Sequence, residues 1–318
     1  MIERDNPSSS TPVLSAVVVF GAQRGRAERC LRHLLAQTAL DRMEIIIIDL
    51  AAGATPVKGT EHPAVHWCHH PEFQRFGQAR AEGLRQSHAP FVAFLEDHTY
   101  ADPRWAENVI SAFARPVDLV NYAMSTANPE RLLCRMFMMA EYGRWLDPAR
   151  SGYIGISAAN NAAYRRAALE PYWSRLDQLC EFEYTLHRKM QAAGSRVWLA
   201  GDAKMAHETW TRFWDGVHAN NNMKRLMAAS RATSGEWSTP TRTMWAAGMV
   251  VTPFLHIWRL AASLVRRPAH WTLFWISMPL MLFMYGCNAW TEALGYLFGE
   301  GDAGIRFRDL ELSIPREE

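Results

Sequence analysis

Cysteine is scarce in this sequence. The 318 residues hold five, Cys30, Cys68, Cys134, Cys180 and Cys287, with no C-x-x-C pair among them. An odd, scattered set excludes a disulfide framework and fits a reduced cytosolic compartment. Net charge is nearly as scarce: 34 Lys and Arg against 32 Asp and Glu leave +2, too little for a nucleic-acid binder. The opening MIERDNPSSSTP lacks the apolar run of a secretory leader and is expected to be a mobile polar tail. Charged residues make up 21% against 49% hydrophobic, so the chain is globular rather than disordered. What is abundant is Trp, thirteen, and Met, fifteen. They gather in the second half, which points to a membrane-facing or loosely packed surface there.

The chain is organised around Pro90 to Trp105, PFVAFLEDHTYADPRW. The apolar run Phe91 to Leu95 has the length of a buried strand and stops at three metal-capable side chains, Glu96, Asp97 and His98. In open α/β sheets ligands bind at that rim; the alternative is a plain polar turn between strand and helix. Upstream, Val13 to Phe20 and Glu44 to Leu50 read as central parallel strands, the second ending in Asp49 after four isoleucines. Between them Ala27, Cys30, Leu31, Leu34 and Leu35 recur with the spacing of a helix packed on one side of a sheet. Ala64 to Trp67 is a short third strand, and the His66, Cys68, His69 and His70 around its end lack the second ligand pair of a zinc module. Phe76 to Ser87 reads as a helix with Arg80 placed to meet a phosphate.

Further on, Leu119 to Met124 is a strand and Arg131 to Leu146 a Met-rich amphipathic helix. Glu181 to Ala193 is a helix ended by Gly194, with Glu183 and His187 on one face. That pair is either a functional face or a solvated one. Val197 to Ala200 is a last strand, after which Asp202 to Glu208 brings His207. The element order is that of an α/β fold with a mostly parallel sheet.

In order and spacing, residues 12 to 230 resemble the catalytic domain of the inverting nucleotide-sugar glycosyltransferases of family 2, which have the GT-A fold. The resemblance is carried by VLSAVVVFGA, EIIIIDL, ARAEGLR, FLEDHTYADPRWAE, ISAANNAAYRR and EFEYTLHRKMQAAGSRVWLAGDAKMAHE. The Glu-Asp-His triplet followed by P-x-W, with the later EYG-x-W (Glu141 to Trp145), is similar to one subgroup that has this triplet in place of D-x-D. The resemblance implies that Asp49, Arg80, Glu96 and Asp97 bind the nucleotide sugar. It implies that Asp97, His98 and His207 hold a divalent metal, Mn²⁺ or Mg²⁺, and that Glu183 is the general base, with Glu181 as the other candidate. Inverting transfer needs such groups: a carboxylate takes the acceptor's proton on one face of the sugar, while cations stabilise the departing diphosphate on the other. Ala81 stands where the family usually has Asn, and Phe182-Glu183 replaces Glu-Asp. TWTRFW after His207 lacks the Q-x-x-R-W of polysaccharide-extending members, which favours transfer of a single sugar.

From Thr243 the character changes. MWAAGMVVTPFLHIW is apolar, RLAASLVRRP is basic, and WTLFWISMPLMLFMYGCNAW carries no charge. The last is long enough to cross a bilayer of about 30 Å, and the first suits an interfacial helix. Arg259, Arg266 and Arg267 are then placed against anionic headgroups; the alternative is a set of buried helices. The expected organisation is a tail over 1–11, a GT-A catalytic domain over 12–230, membrane-associated segments over 231–298 and an exposed C-terminal tail over 299–318. The expected function is a transferase at the cytoplasmic face of the membrane, moving one sugar from a nucleoside diphosphate sugar to a lipid-linked or glycan acceptor. The competing reading is a catalytically silent GT-A-fold scaffold.

Overall fold

The computed structural model describes residues 11–53, 55–265 and 267–316. The opening stretch 1–10, Arg266, Glu317 and Glu318, on which the sequence also raised expectations, lie outside the described residues. The two β-branched runs become β1 (Leu14–Phe20) and β2 (Met43–Asp49), buried along their whole length. Helix α1 (Arg24–Leu35) connects them, and β3 (Val65–His69) lies parallel at the edge of β2. Helix α2 (Phe76–Gln86) leads into β4 (Phe91–Glu96), which pairs parallel to β1 on its other side. All these strands therefore end at one rim, with Asp49 and Glu96 on it.

The second half of the sheet is built from β5 (Thr99–Ala101), β6 (Leu119–Thr126), β7 (Gly152–Ile154), β8 (Ala162–Arg165) and β9 (Val197–His207). Strand order is β3-β2-β1-β4-β8-β6-β9-β5, with β7 also on β9. β6 and β9 are parallel, while β8 runs antiparallel between β4 and β6. β9 is longer than Val197 to Ala200, because its second half alternates buried Gly201, Ala203, Met205 and His207 with exposed Asp202 and Lys204. Period-two alternation of that kind is a strand with one wet face. Helices α3 (Trp105–Ala112), α4 (Leu132–Tyr142), α5 (Leu176–Leu179) and α6 (Glu183–Ala192) pack around the sheet.

Five helices follow: α7 (Phe213–Ser234), α8 (Thr239–Gly248), α9 (Thr252–Leu264), α10 (Trp271–Phe298) and α11 (Ala303–Ser313). Along α10 the buried residues Phe274, Met281, Tyr285, Asn288, Glu292 and Tyr296 recur every three to seven positions and form its inner face. Arg231 of α7 pairs with Glu292 at 2.9 Å, and the Tyr285 hydroxyl donates to the Ala140 carbonyl of α4 at 3.2 Å. α7 and α10 approach closely where Gly295 meets Arg225; a Cβ there would lie 2.4 Å from the Arg225 carbonyl oxygen. The stretch expected as an exposed tail is instead α11 and a buried Arg316. Its acidic content suggested solvent, but Glu311 pairs with Arg316 and turns inward beside Phe307 and Leu312.

Candidate active site

Side chains alternate sides along and just past a strand, and that decides which acid of the Glu-Asp-His triplet faces the site. Glu96 and His98 turn one way. Asp97 turns the other, where its carboxylate pairs with Arg26 of α1 at 2.9 Å and accepts from the Gly21 backbone N–H at 3.3 Å. β9 delivers His207 opposite Thr99, and the Glu208 N–H donates to the His98 carbonyl at 2.9 Å. The rings of His98 and His207 lie 4.6 Å apart, edge to face. Ligand atoms of Glu96, His98 and His207 all fall within 4.8 Å of one another. Asp97, expected among the metal ligands, instead lies 3.1 Å from His98 Nδ1 and orients that ring from behind.

The trio fits a divalent ion. Burial alone would raise the Glu96 carboxyl, but the hydrogen bond from His207 and the charge of Arg80 outweigh it and hold it below the usual range. Burial, with the charge of Arg316 adding to it, keeps His98 well below the usual imidazole value and so neutral, the form that ligates. Asn161 fixes Glu96 by donating to it at 2.6 Å and to the Tyr142 hydroxyl at 3.0 Å. Its φ of 59° is left-handed, a conformation Asn tolerates better than most residues. Neither Asn161 nor Tyr142 was singled out as a site residue in the sequence, although both lie in motifs noted there.

The other expected residues are spread further. Asp49 is fully buried at the rim, paired with Arg24 at 2.8 Å and accepting from Trp67 Nε1 at 3.1 Å. Arg80 does not reach out towards a phosphate; it donates to the Cys180 carbonyl at 2.9 Å and lies 3.5 Å from Glu183. Glu181 accepts from the Gly77 N–H at 2.8 Å. Glu183 is wholly buried, its pKa pushed up to about 7 by that burial. The Tyr164 hydroxyl lies 2.6 Å from both Glu183 Oε2 and His187 Nε2, while His187 Nδ1 lies 2.9 Å from the Ala158 carbonyl. A carbonyl only accepts, so Nδ1 carries the proton. Burial holds His187 down at about 3, so Nε2 is bare and takes the Tyr164 proton. The remaining bond, from Glu183 to Tyr164, then needs a protonated carboxyl.

The C-terminal segment crosses the same rim. Leu312 accepts from the Ala22 N–H at 3.1 Å, and Ser313 accepts from the Gln23 side chain at 2.7 Å. Glu311 lies 3.6 Å from His98, and Arg316 donates to the Glu208 carbonyl at 2.7 Å with its guanidinium 3.8 Å above the Trp210 ring. Beside this strap opens a cavity of about 460 Å³, a size typical of small-ligand sites. Its inner end holds Glu96, His98 and His207; its outer walls come from α4, α7, α9 and α10. Neither Glu183 nor Glu181 lines it. The carboxylates that do are Glu96, Glu141, Glu292 and Glu311.

Three comparisons bear on this arrangement. The family described as Glycosyl transferase family 2 matches residues 15–173. EpsH of Bacillus subtilis (strain 168), provisionally named a glycosyltransferase, is 30% identical over 119 residues, 36% of this chain and 34% of that protein. The chain thus matches about a third of the length of that curated relative. Among solved structures, the mannosyltransferase PcManGT from Pyrobaculum calidifontis, in complex with GDP-Man and Mn²⁺, superposes with a TM-score of 0.53 at 16% identity over 92% of this chain and 86% of that one. S. aureus TarS 1-349 is a looser match, with a TM-score of 0.49 and 13% identity over 91% of this chain and 90% of that one. The expected GT-A fold is thereby met by the sheet order, the family match and the PcManGT superposition.

Proposed function

The chain belongs to glycosyl transferase family 2, and from that premise we propose that it moves a single sugar, with inversion, from a nucleoside diphosphate sugar to a lipid-linked or other membrane-proximal acceptor. The observation that carries this is the single cavity joining the Glu96, His98 and His207 trio to walls made by apolar helices. A donor and an amphipathic acceptor can meet there from opposite ends. Glu96, His98 and His207 would hold Mn²⁺ or Mg²⁺, which would supply positive charge to the departing diphosphate. Asp97 orients His98, and Asn161 holds Glu96 in place. Arg316 adds a fixed cation beside the trio, in the sense that favours a leaving anion. Asp49, with Arg24 and Trp67 around it, forms the rim where the nucleoside would lie.

The membrane side of the proposal rests on what α8 to α10 leave outside. Trp245, Phe254, Trp258, Trp275, Phe283 and Trp290 are all exposed, and a surface of that composition favours an interface with lipid. The segments Thr239–Leu264 and Pro268–Phe298 are long and apolar enough to cross a bilayer. Yet α10 is tied to α7 and α4 by its inner face, so we place these helices along the membrane surface at its cytoplasmic side. Of the expected basic patch, Arg267 donates to the Gly143 and Arg144 carbonyls at 2.7 and 3.2 Å and is thereby engaged by the end of α4.

Incubation with radiolabelled UDP- and GDP-hexoses and a membrane lipid extract tests the whole reading. The expected result is one labelled, butanol-soluble product whose new linkage has the anomeric configuration opposite to the donor's. Retention of configuration, or label released only as free sugar, contradicts it.

A further inference from the structure

The outer half of the cavity holds polar groups that the donor reading does not use. Helix α7 lines it with Asn220 and Lys224, one turn apart, and α10 with Asn288 and Glu292, again one turn apart. Asn288 is 3% exposed, and neither its Nδ2 nor its Oδ1 has a hydrogen-bond partner among the described residues. A buried amide without partners loses its hydration and gains nothing in return, so a fold that keeps one facing a cavity points to a ligand that completes it. Glu141, in the last turn of α4, enters from the facing wall, with Oε1 held by the neutral amide of Asn220 at 3.1 Å. The next residue, Tyr142, has its ring 5.3 Å from that of His207. Glu141 therefore lines the same cavity as the metal-capable trio and touches the amide of Asn220.

Resting on the transferase reading above, we infer that Glu141, Asn220, Lys224 and Asn288 form the acceptor subsite, and that Glu141 takes the proton from the acceptor hydroxyl. The other acids of the cavity are each held by a cationic side chain or an imidazole. Glu96 is held by Asn161 and His207, Glu311 by Arg316, and Glu292 by Arg231 and Tyr296. Glu183 and Glu181 lie behind the wall. In the step itself, the acceptor oxygen forms a bond to the anomeric carbon as its proton passes to the Glu141 carboxylate. The bond from that carbon to the phosphate oxygen breaks, and the nucleoside diphosphate leaves with the electron pair. Burial raises the Glu141 carboxyl above its usual range, in the direction that strengthens it as a base.

The chemistry of the walls names the acceptor class. Amide and ammonium donors suit sugar hydroxyls, while Trp245, Met249, Leu255 and Met284 on the same cavity suit an alkyl chain. The fitting ligand is a hydroxylated headgroup carrying a hydrocarbon tail.

The protein is purified in a sugar-free zwitterionic detergent and given radiolabelled UDP- and GDP-hexoses with dodecyl glucoside or free glucose. Transfer to the dodecyl glycoside, and little to glucose, is expected. Glu141→Gln is expected to lower kcat by about a hundredfold or more while leaving the KM for the donor and the nucleotide-induced rise in Tm unchanged. Formate should restore part of the activity of Glu141→Ala, which a structural role would not allow. Asn288→Ala should raise the KM for the glycoside about tenfold with little change in kcat. Three outcomes overturn the inference: transfer that survives Glu141→Gln, a donor-bound protein that transfers to no alkyl glycoside, or loss of the nucleotide response together with activity in both Glu141 variants. Absence of any nucleotide response in the wild-type protein removes the transferase reading instead, and the acceptor subsite with it.

Discussion

At the scale of the residue, burial decides what each carboxyl does. Glu183 titrates near 4.5 when exposed and is pushed up to about 7 in the fold, because burial outweighs the pull of Arg80. Its contribution to stability is therefore complete below 4.5 and is lost as pH rises to about 7. A shift of that size is worth on the order of 3 kcal/mol. Glu183→Gln, which keeps the shape of the protonated form, should match the wild type in denaturant midpoint at pH 5 and exceed it at pH 8. An equal loss at both values would show that Glu183 is ionised in the folded protein. The sequence made Glu96, Asp97 and His98 legible as a site, because three such side chains end an apolar strand. It did not reveal which acid belongs with the imidazoles, since the resemblance to D-x-D drew attention to Asp97. Alternation of side chains puts Glu96 and His98 together and gives Asp97 to Arg26. Of the relay, Glu183 and His187 were legible as one face of a helix, whereas Tyr164, 19 residues before Glu183, left no signal.

At the scale of the element, β9 and α11 are where pattern and structure part. The second half of β9 reads as a loop until Asp202 and Lys204 are seen as the wet face of a strand, and only that length carries His207 to His98. Helix α11 looked like a charged tail because the partner of Glu311, Arg316, sits five residues on and the apolar groups are few. Its hold on the rim depends on Gly21. A Cβ there would lie 2.5 Å from Leu312 Cβ and 2.6 Å from its carbonyl oxygen. Gly21→Ala should thus cost about 1–3 kcal/mol of stability and expose the C-terminal segment to limited proteolysis. An unchanged midpoint with an unchanged cleavage pattern would mean that the strap is not held where Gly21 meets it.

At the scale of the whole molecule, the parallel half of the sheet was legible in its β-branched runs, and the apolar last third in its lack of charge. How that last third folds back was not legible, since hydropathy does not tell a stripe buried on α7 from one facing lipid. The exposed aromatics give a direct test. The wild-type protein should float with anionic vesicles, and Phe254→Ser with Trp258→Ser and Trp275→Ser should leave it at the bottom of the gradient with its fold intact. Flotation that is indifferent to these changes would move the contact elsewhere. The central claim, a metal-dependent donor site at Glu96, His98 and His207, is tested most directly by thermal unfolding. The wild-type protein and His207→Ala are melted with UDP or GDP, each with Mn²⁺, with Mg²⁺ and with chelator. A ligand that binds only the folded state raises Tm. The account predicts a rise with one nucleotide, present with metal, absent with chelator and absent in His207→Ala. No rise with either nucleotide, or one that persists with chelator and in the variant, would contradict it and favour a scaffold that keeps the fold without the chemistry.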